Sequence, residues 1–92
     1  MNDDTLNVLW IGAFRYYLGR MTASVHSFCD SMIKEYDSIP DQAKGIIKRD
    51  LIQAFADDDR KREKETDHHF YPLGHDVDRA KWLEVLGVFS GL

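Results

Sequence analysis

The stretch Phe70–Trp82, "FYPLGHDVDRAKW", decides how this 92-residue chain is read. His75, Asp76 and Asp78 fall within four positions of one another, and His68 and His69 stand just upstream. Such side chains bind metal ions and move protons, so the segment is either a reactive site or the start of a helix. A helix beginning near Val77 needs acceptors for its first N–H groups. Asp76 is then the expected N-cap, and Asp78 in the first turn meets the positive end of the helix dipole. That reading uses both aspartates where they stand. It continues into Trp82, Val85, Leu86 and Phe89, whose spacing of three and four residues places them on one inward face. The alternative, a metal held by His75, Asp76 and Asp78, has legitimate ligands but lacks a compact spacing such as His-Glu-x-x-His on a helix. The helix start is therefore preferred, with no cofactor expected.

Working back along the chain, apolar residues recur at Leu6, Leu9, Trp10, Ala13, Phe14, Tyr17 and Leu18 with helical period. Val8, Ile11 and Tyr16 lie off that stripe, so the first helix is apolar on more than one side and is expected at the centre of a bundle or at an interface. Gly19 follows as a left-handed C-cap. Thr22 is the expected N-cap of a second helix with a single stripe at Val25, Phe28, Cys29, Met32, Ile33 and Tyr36. A connection this short makes the first two helices antiparallel neighbours or a sharp corner. Ser38 and Asp41 have capping-box spacing, and Pro40 is tolerated in a first helical turn. A third helix then buries Ala43, Ile46, Ile47, Leu51, Ala54 and Phe55. No apolar residue occurs from Asp57 to Asp67, where Asp57 with Lys61 and Asp58 with Arg62 have i,i+4 spacing. This run is expected to be a solvated helix end passing into a charged, mobile loop at about 60–74. The pattern predicts one all-α domain over residues 1–92, a compact four-helix bundle with helices at about 4–18, 22–36, 39–62 and 77–90.

Composition narrows the function classes. The chain is 43% hydrophobic and 30% charged, which is globular rather than disordered. Its formal net charge of -4 argues against direct nucleic-acid binding. Lys44, Lys48 and Arg49 cluster without the interleaved aromatics of a nucleic-acid surface and are expected to face solvent. The opening segment has no basic n-region, and no apolar run approaches the length of a membrane span, so a cytoplasmic, membrane-free location is expected. A single cysteine, Cys29, excludes an internal disulfide and sits on an apolar stripe as a small hydrophobe. His26 lies three residues before it with no third group evident in the sequence to orient it, which argues against nucleophilic catalysis.

Arg15 and Arg20 bracket Tyr16 and Tyr17. Arginine with tyrosine grips phosphates, bases or protein surfaces. The structural alternative is an ion pair from Arg15 or Arg20 to Asp30, Asp50, Asp76 or Asp78, partly buried and costing about 3 to 5 kcal/mol to break from one side. Asp50, Asp76, Asp78 and Arg79 are assigned to such pairs and caps. Val8, Ile11, Arg15, Tyr16, Arg20 and Trp82 are the candidate binding residues.

The ordered set "FRYYLGRMT", "IKRDL", "FADDD" and "PLGHDVDRAKW" resembles a group of small proteins encoded by bacteriophages and other mobile elements. The likeness covers about Ala13 to Trp82. It implies an accessory phage protein acting in a bacterial host cell. From it follows the leading expectation, a binding protein that blocks a bacterial host protein or defence complex stoichiometrically, as anti-CRISPR proteins do. Two rivals are a nucleotide-sequestering protein, with Arg15, Tyr16, Arg20 or Trp82 lining a pocket, and a metal-assisted phosphoesterase using His75, Asp76 and Asp78. The off-stripe surface of the first helix also suits a homo-oligomer.

Overall fold

Helix α1 (Asp3–Tyr17) carries Asp3 and Asp4 in its first turn and Arg15 in its last, a charge order that complements the helix dipole. These bounds come from a computed structural model that describes residues 3–20, 23–64 and 72–91. Gly19, at φ +83°, ends the helix in the left-handed conformation expected of it. A Cβ there would also meet the Pro72 carbonyl oxygen at 3.1 Å, so glycine is favoured both by backbone angle and by close approach.

Helix α2 (Ala23–Lys34) buries Val25, Cys29 and Met32, the centre of its predicted stripe. The proposed cap at Thr22 lies outside the described residues. A single 3₁₀ turn (Tyr36–Ser38) follows, and Ile39 turns into the core at 2% exposure. Helix α3 (Asp41–Lys64) therefore starts later than a cap at Ser38 requires: Ser38 belongs to the 3₁₀ turn, and the Pro40 carbonyl accepts the first helical bond, from the Lys44 N–H at 2.9 Å. Helix α4 spans Asp76–Phe89.

The charged run from Asp57 remains helical to Lys64 instead of opening into a loop near residue 60. Residues 65–71 lie outside the description. Where the chain is described again, it is packed, not free: Leu73 is 1% exposed and Gly74 is buried.

Side-chain pairings fix the directions of the helices. Asn7 meets Gln42 and Arg15 meets Asp50, both 35 residues apart, so α1 and α3 run parallel. His26 meets Asp78 and Lys81 meets Asp30, at separations of 52 and 51, so α2 and α4 are parallel as well. Asp58 and Asp59 meet Arg79 while Arg62, farther along α3, meets Asp76 at the start of α4; these two helices are antiparallel. Trp10 and Tyr17 on α1 meet the Phe28 ring of α2. The predicted four-helix bundle is thus realised, with no strand among the described residues.

The core is one cluster. Phe14 and Trp82, both fully buried, meet edge to face at 5.8 Å and join α1 to α4. Each contributes about 1.5–3 kcal/mol through burial alone. Tyr36 packs edge to face on Phe89 at 5.0 Å, and the Lys44 ammonium lies 4.3 Å above the Tyr36 ring. Lys44 is therefore held against an aromatic rather than spread into solvent. The buried stripe of α1 also differs from the predicted one. Asn7 is 7% exposed, while Leu9, expected inside, is 53% exposed. The helix is rotated so that Asn7 reaches the start of α3, which brings Ile11 partly against the core and turns Leu9 outward.

Candidate functional site

Helix-period packing puts Asp58 on the buried face of α3, one turn beyond Phe55, and the carboxylate must find donors there. Asp58, 0% exposed, accepts from Arg62 Nε at 2.7 Å, from Arg79 Nε at 2.9 Å and from the Leu73 N–H at 3.4 Å. Arg62 also donates to the Gly74 carbonyl at 2.9 Å and to Asp76 at 3.1 Å. Arg79 reaches Asp59 at 2.6 Å, and its guanidinium lies 5.0 Å from the centre of the Phe55 ring. The i,i+4 pair Asp58–Arg62 was legible in the sequence. That Arg79 completes a three-way tie was not, because it depends on the antiparallel docking of α4. This network binds the 72–76 segment to α3. It is a structural lock whose donors and acceptors face one another, not a ligand.

The stretch "GHDVDR" is thereby explained. The N-cap of α4 is His75, in extended conformation and with no side-chain cap bond, and its carbonyl accepts the Arg79 N–H at 2.9 Å. Asp76, expected as the cap, is the first helical residue, and its carboxylate turns toward Arg62. Asp78 turns the other way, to His26 Nε2 at 2.7 Å. The supposed ligand set therefore diverges onto two different helices, and His75 is exposed. Among the described residues no group of three or more His, Cys, Asp or Glu side chains is placed to hold a metal ion. His68 and His69 lie outside them.

Asp78 supplies the third group that the sequence did not reveal beside His26 and Cys29. No nucleophilic triad results. Cys29 is fully buried, and burial, reinforced by the Asp30 carboxylate, pushes its thiol up to about 12, so at neutral pH it is protonated and inaccessible. Beside it, Lys81 bonds Asp30 at 2.5 Å and Glu84 at 3.4 Å, and the Asp30 hydrogen bond raises its pKa.

The candidate binding residues fare unequally. Trp82 is fully buried against Phe14, so it cannot line an open ligand pocket. Arg15 Nη2 bonds Asp50 at 2.8 Å, the pairing anticipated, but its side chain is 56% exposed. Solvent screening reduces such a pair to about 0.2–1 kcal/mol, well below the value expected of a buried one. Arg20 stacks over the Tyr16 ring at 4.2 Å and donates from Nε to the Tyr16 carbonyl. Ile11 is half-buried. Val8 at 70% and Tyr16 at 60% exposure remain open, joined by Leu9. Together with Gly12 they form the outward face of α1.

One depression of the described surface is bounded by three segments, at Leu18, at Asp50, Gln53, Ala54 and Asp57 of α3, and at Pro72, while others are one-sided. One is lined by Gly45, Lys48, Arg49, Asp50, Ile52 and Gln53, all on α3, and another by Asp4, Thr5, Val8 and Leu9, all on α1. A small molecule there would be covered from one side only, unlike the enclosure a ligand pocket provides. No helix among the described residues is long and apolar enough to cross a membrane. No family model, curated protein or solved structure matches the chain.

Proposed function

We propose that this chain is a non-enzymatic, stoichiometric binding protein of the phage accessory type, which occupies a surface of a bacterial host protein or defence complex in the cytoplasm. The observation that carries this reading is the outward face of α1, where Val8, Leu9 and Tyr16 stand 53–70% exposed on a bundle whose core is already complete without them. Large exposed side chains gathered on one helix face mark an interaction surface, and aromatic residues with arginine are the usual anchors of binding energy. Tyr16 with Arg20 stacked on its ring is such a pair. The polar groups a reaction would need are engaged elsewhere: Asp58 with both Arg62 and Arg79, and His26 with Asp78. The host and the phage context rest on the sequence motifs alone.

The test is retention of bacterial proteins by the tagged chain, compared with a variant carrying Val8→Asp and Tyr16→Ala. One host protein held near one-to-one by the natural chain and lost from the variant is the expected result. No protein above background, or the same protein held equally by both, overturns the reading.

A further inference from the structure

Asp4, Val8, Gly12, Tyr16 and Arg20 lie at steps of four along and just beyond α1, and all five are exposed. Steps of four form the ridge by which helices most often pack on one another. The ridge reads acidic, apolar, glycine, aromatic, basic, and the order is complementary to its own reversal. We infer that a second copy of this chain occupies this face, with the two α1 helices antiparallel and crossing at Gly12. This rests on the reading of α1 as a recognition face, which the second copy covers until a host protein that needs the same Val8 and Tyr16 takes its place.

Reversal about Gly12 places Val8 of one copy beside Tyr16 of the other, and Asp4 beside Arg20, with each contact made twice. Asp4 lies about 12 Å along the helix from the crossing, from a rise of 1.5 Å per residue. Arg20 lies beyond the left-handed Gly19, so helical spacing does not place it; its guanidinium is held 4.2 Å above the Tyr16 ring, which brings its charge back to the C-terminal end of the ridge. Neither Asp4 nor Arg20 has an ion-pair partner among the described residues, whereas Arg15 is already committed to Asp50. Gly12 leaves the crossing open: a Cβ there meets nothing within 4 Å, so its own fold does not require glycine. Glycine is otherwise costly in a helix interior, and close approach of another backbone accounts for it. One helix face buries less than the roughly 800 Å² per partner of a standard interface, so the dimer is reversible and dissociates on dilution.

Sedimentation of the full chain from micromolar to millimolar concentration tests this, with circular dichroism confirming that each variant is folded. The natural chain is expected to pass from monomer to dimer. Gly12→Glu, which has room within its own fold, should weaken the dimer at least about ten-fold. Asp4→Arg and Arg20→Asp should each weaken self-association, because each sets like charges across both ends. An equimolar mixture of those two variants should recover it, since both ends then join opposite charges. A chain that is monomeric throughout, a dimer indifferent to Gly12→Glu, or a mixture no tighter than its components would overturn the proposal. If a monomeric chain still retains a bacterial protein through Val8 and Tyr16, the second copy is refuted and the proposed function stands. A dimer without such a protein has the opposite meaning.

Discussion

Asn7 Oδ1 accepts the backbone N–H of Ala43 at 3.1 Å, so a side chain of α1 caps the start of α3 from another helix. Its Nδ2 donates to Gln42 Oε1 at 2.9 Å, which satisfies both ends of a carboxamide only 7% exposed. Asn7→Ala removes the cap and leaves an N–H buried, at a cost of about 1–3 kcal/mol. Asn7→Asp keeps the acceptor and adds a charge suited to a helix N-terminus, so it should lose less. Urea midpoints of the two variants decide; an alanine variant within about 0.5 kcal/mol of the natural chain would refute the cap.

Asp58 and Asp50 make opposite expectations. Asp58→Ala removes the acceptor that Arg62 and Arg79 share, although Arg62 keeps Asp76 and the Gly74 carbonyl and Arg79 keeps Asp59, and it leaves the Leu73 N–H unmatched, so it should cost about 1–3 kcal/mol, with little dependence on salt. Arg15→Ala breaks the exposed pair with Asp50 and should cost about 0.2–1 kcal/mol, shrinking further at high ionic strength. Equal losses in chemical denaturation would mean that the Asp58 network is not the lock that joins α3 to the 72–76 segment.

Both kinds of pair show where the sequence ceases to inform. Periodicity located all four helices because apolar spacing is a local property. Gly19 was legible for the same reason, as was Asp58 beside Arg62. The cap from Asn7 was not, since a polar residue near a helix start gives no sign of which helix it will serve. Its burial also turns α1 and moves Leu9 from the expected core to the surface. The division of Asp76 and Asp78 between Arg62 and His26 likewise depends on the docking of α4 between α3 and α2. Charge two positions apart left convergence on a metal as the alternative reading, and tertiary packing separated the two carboxylates.

Trp82 is buried, and its indole N–H finds no acceptor among the described residues. Two costs of substitution then oppose one another. Trp82→Ala empties the junction with Phe14 and should cost about 3–5 kcal/mol. Trp82→Phe keeps most of the ring and removes the unsatisfied donor, whose burial costs about 1–3 kcal/mol, so it should fall within about 1.5 kcal/mol of the natural chain. Thermal unfolding of both variants measures this. A phenylalanine variant as unstable as the alanine one would show that the N–H has a partner after all.

Cys29 makes stability fall at alkaline pH. Burial raises its thiol from 9.0 to about 12 in the folded chain. The folded state therefore holds a proton that the unfolded state releases, so its contribution is complete below about pH 9 and is lost as pH rises toward 12. The loss approaches about 1.4 kcal/mol per pH unit in that window, on the order of 4 kcal/mol in all. Lys81 works in the same direction, because its bond to Asp30 raises a pKa that is ordinarily 10.5. Cys29→Ala removes only the thiol's share. It should start less stable at neutral pH because of the cavity, yet lose less on going to about pH 10.5. Alkylation gives an independent readout: at neutral pH the folded chain should resist iodoacetamide and react once urea exposes the thiol. Equal rates in both states, or parallel pH profiles for the two chains, would place Cys29 outside the core.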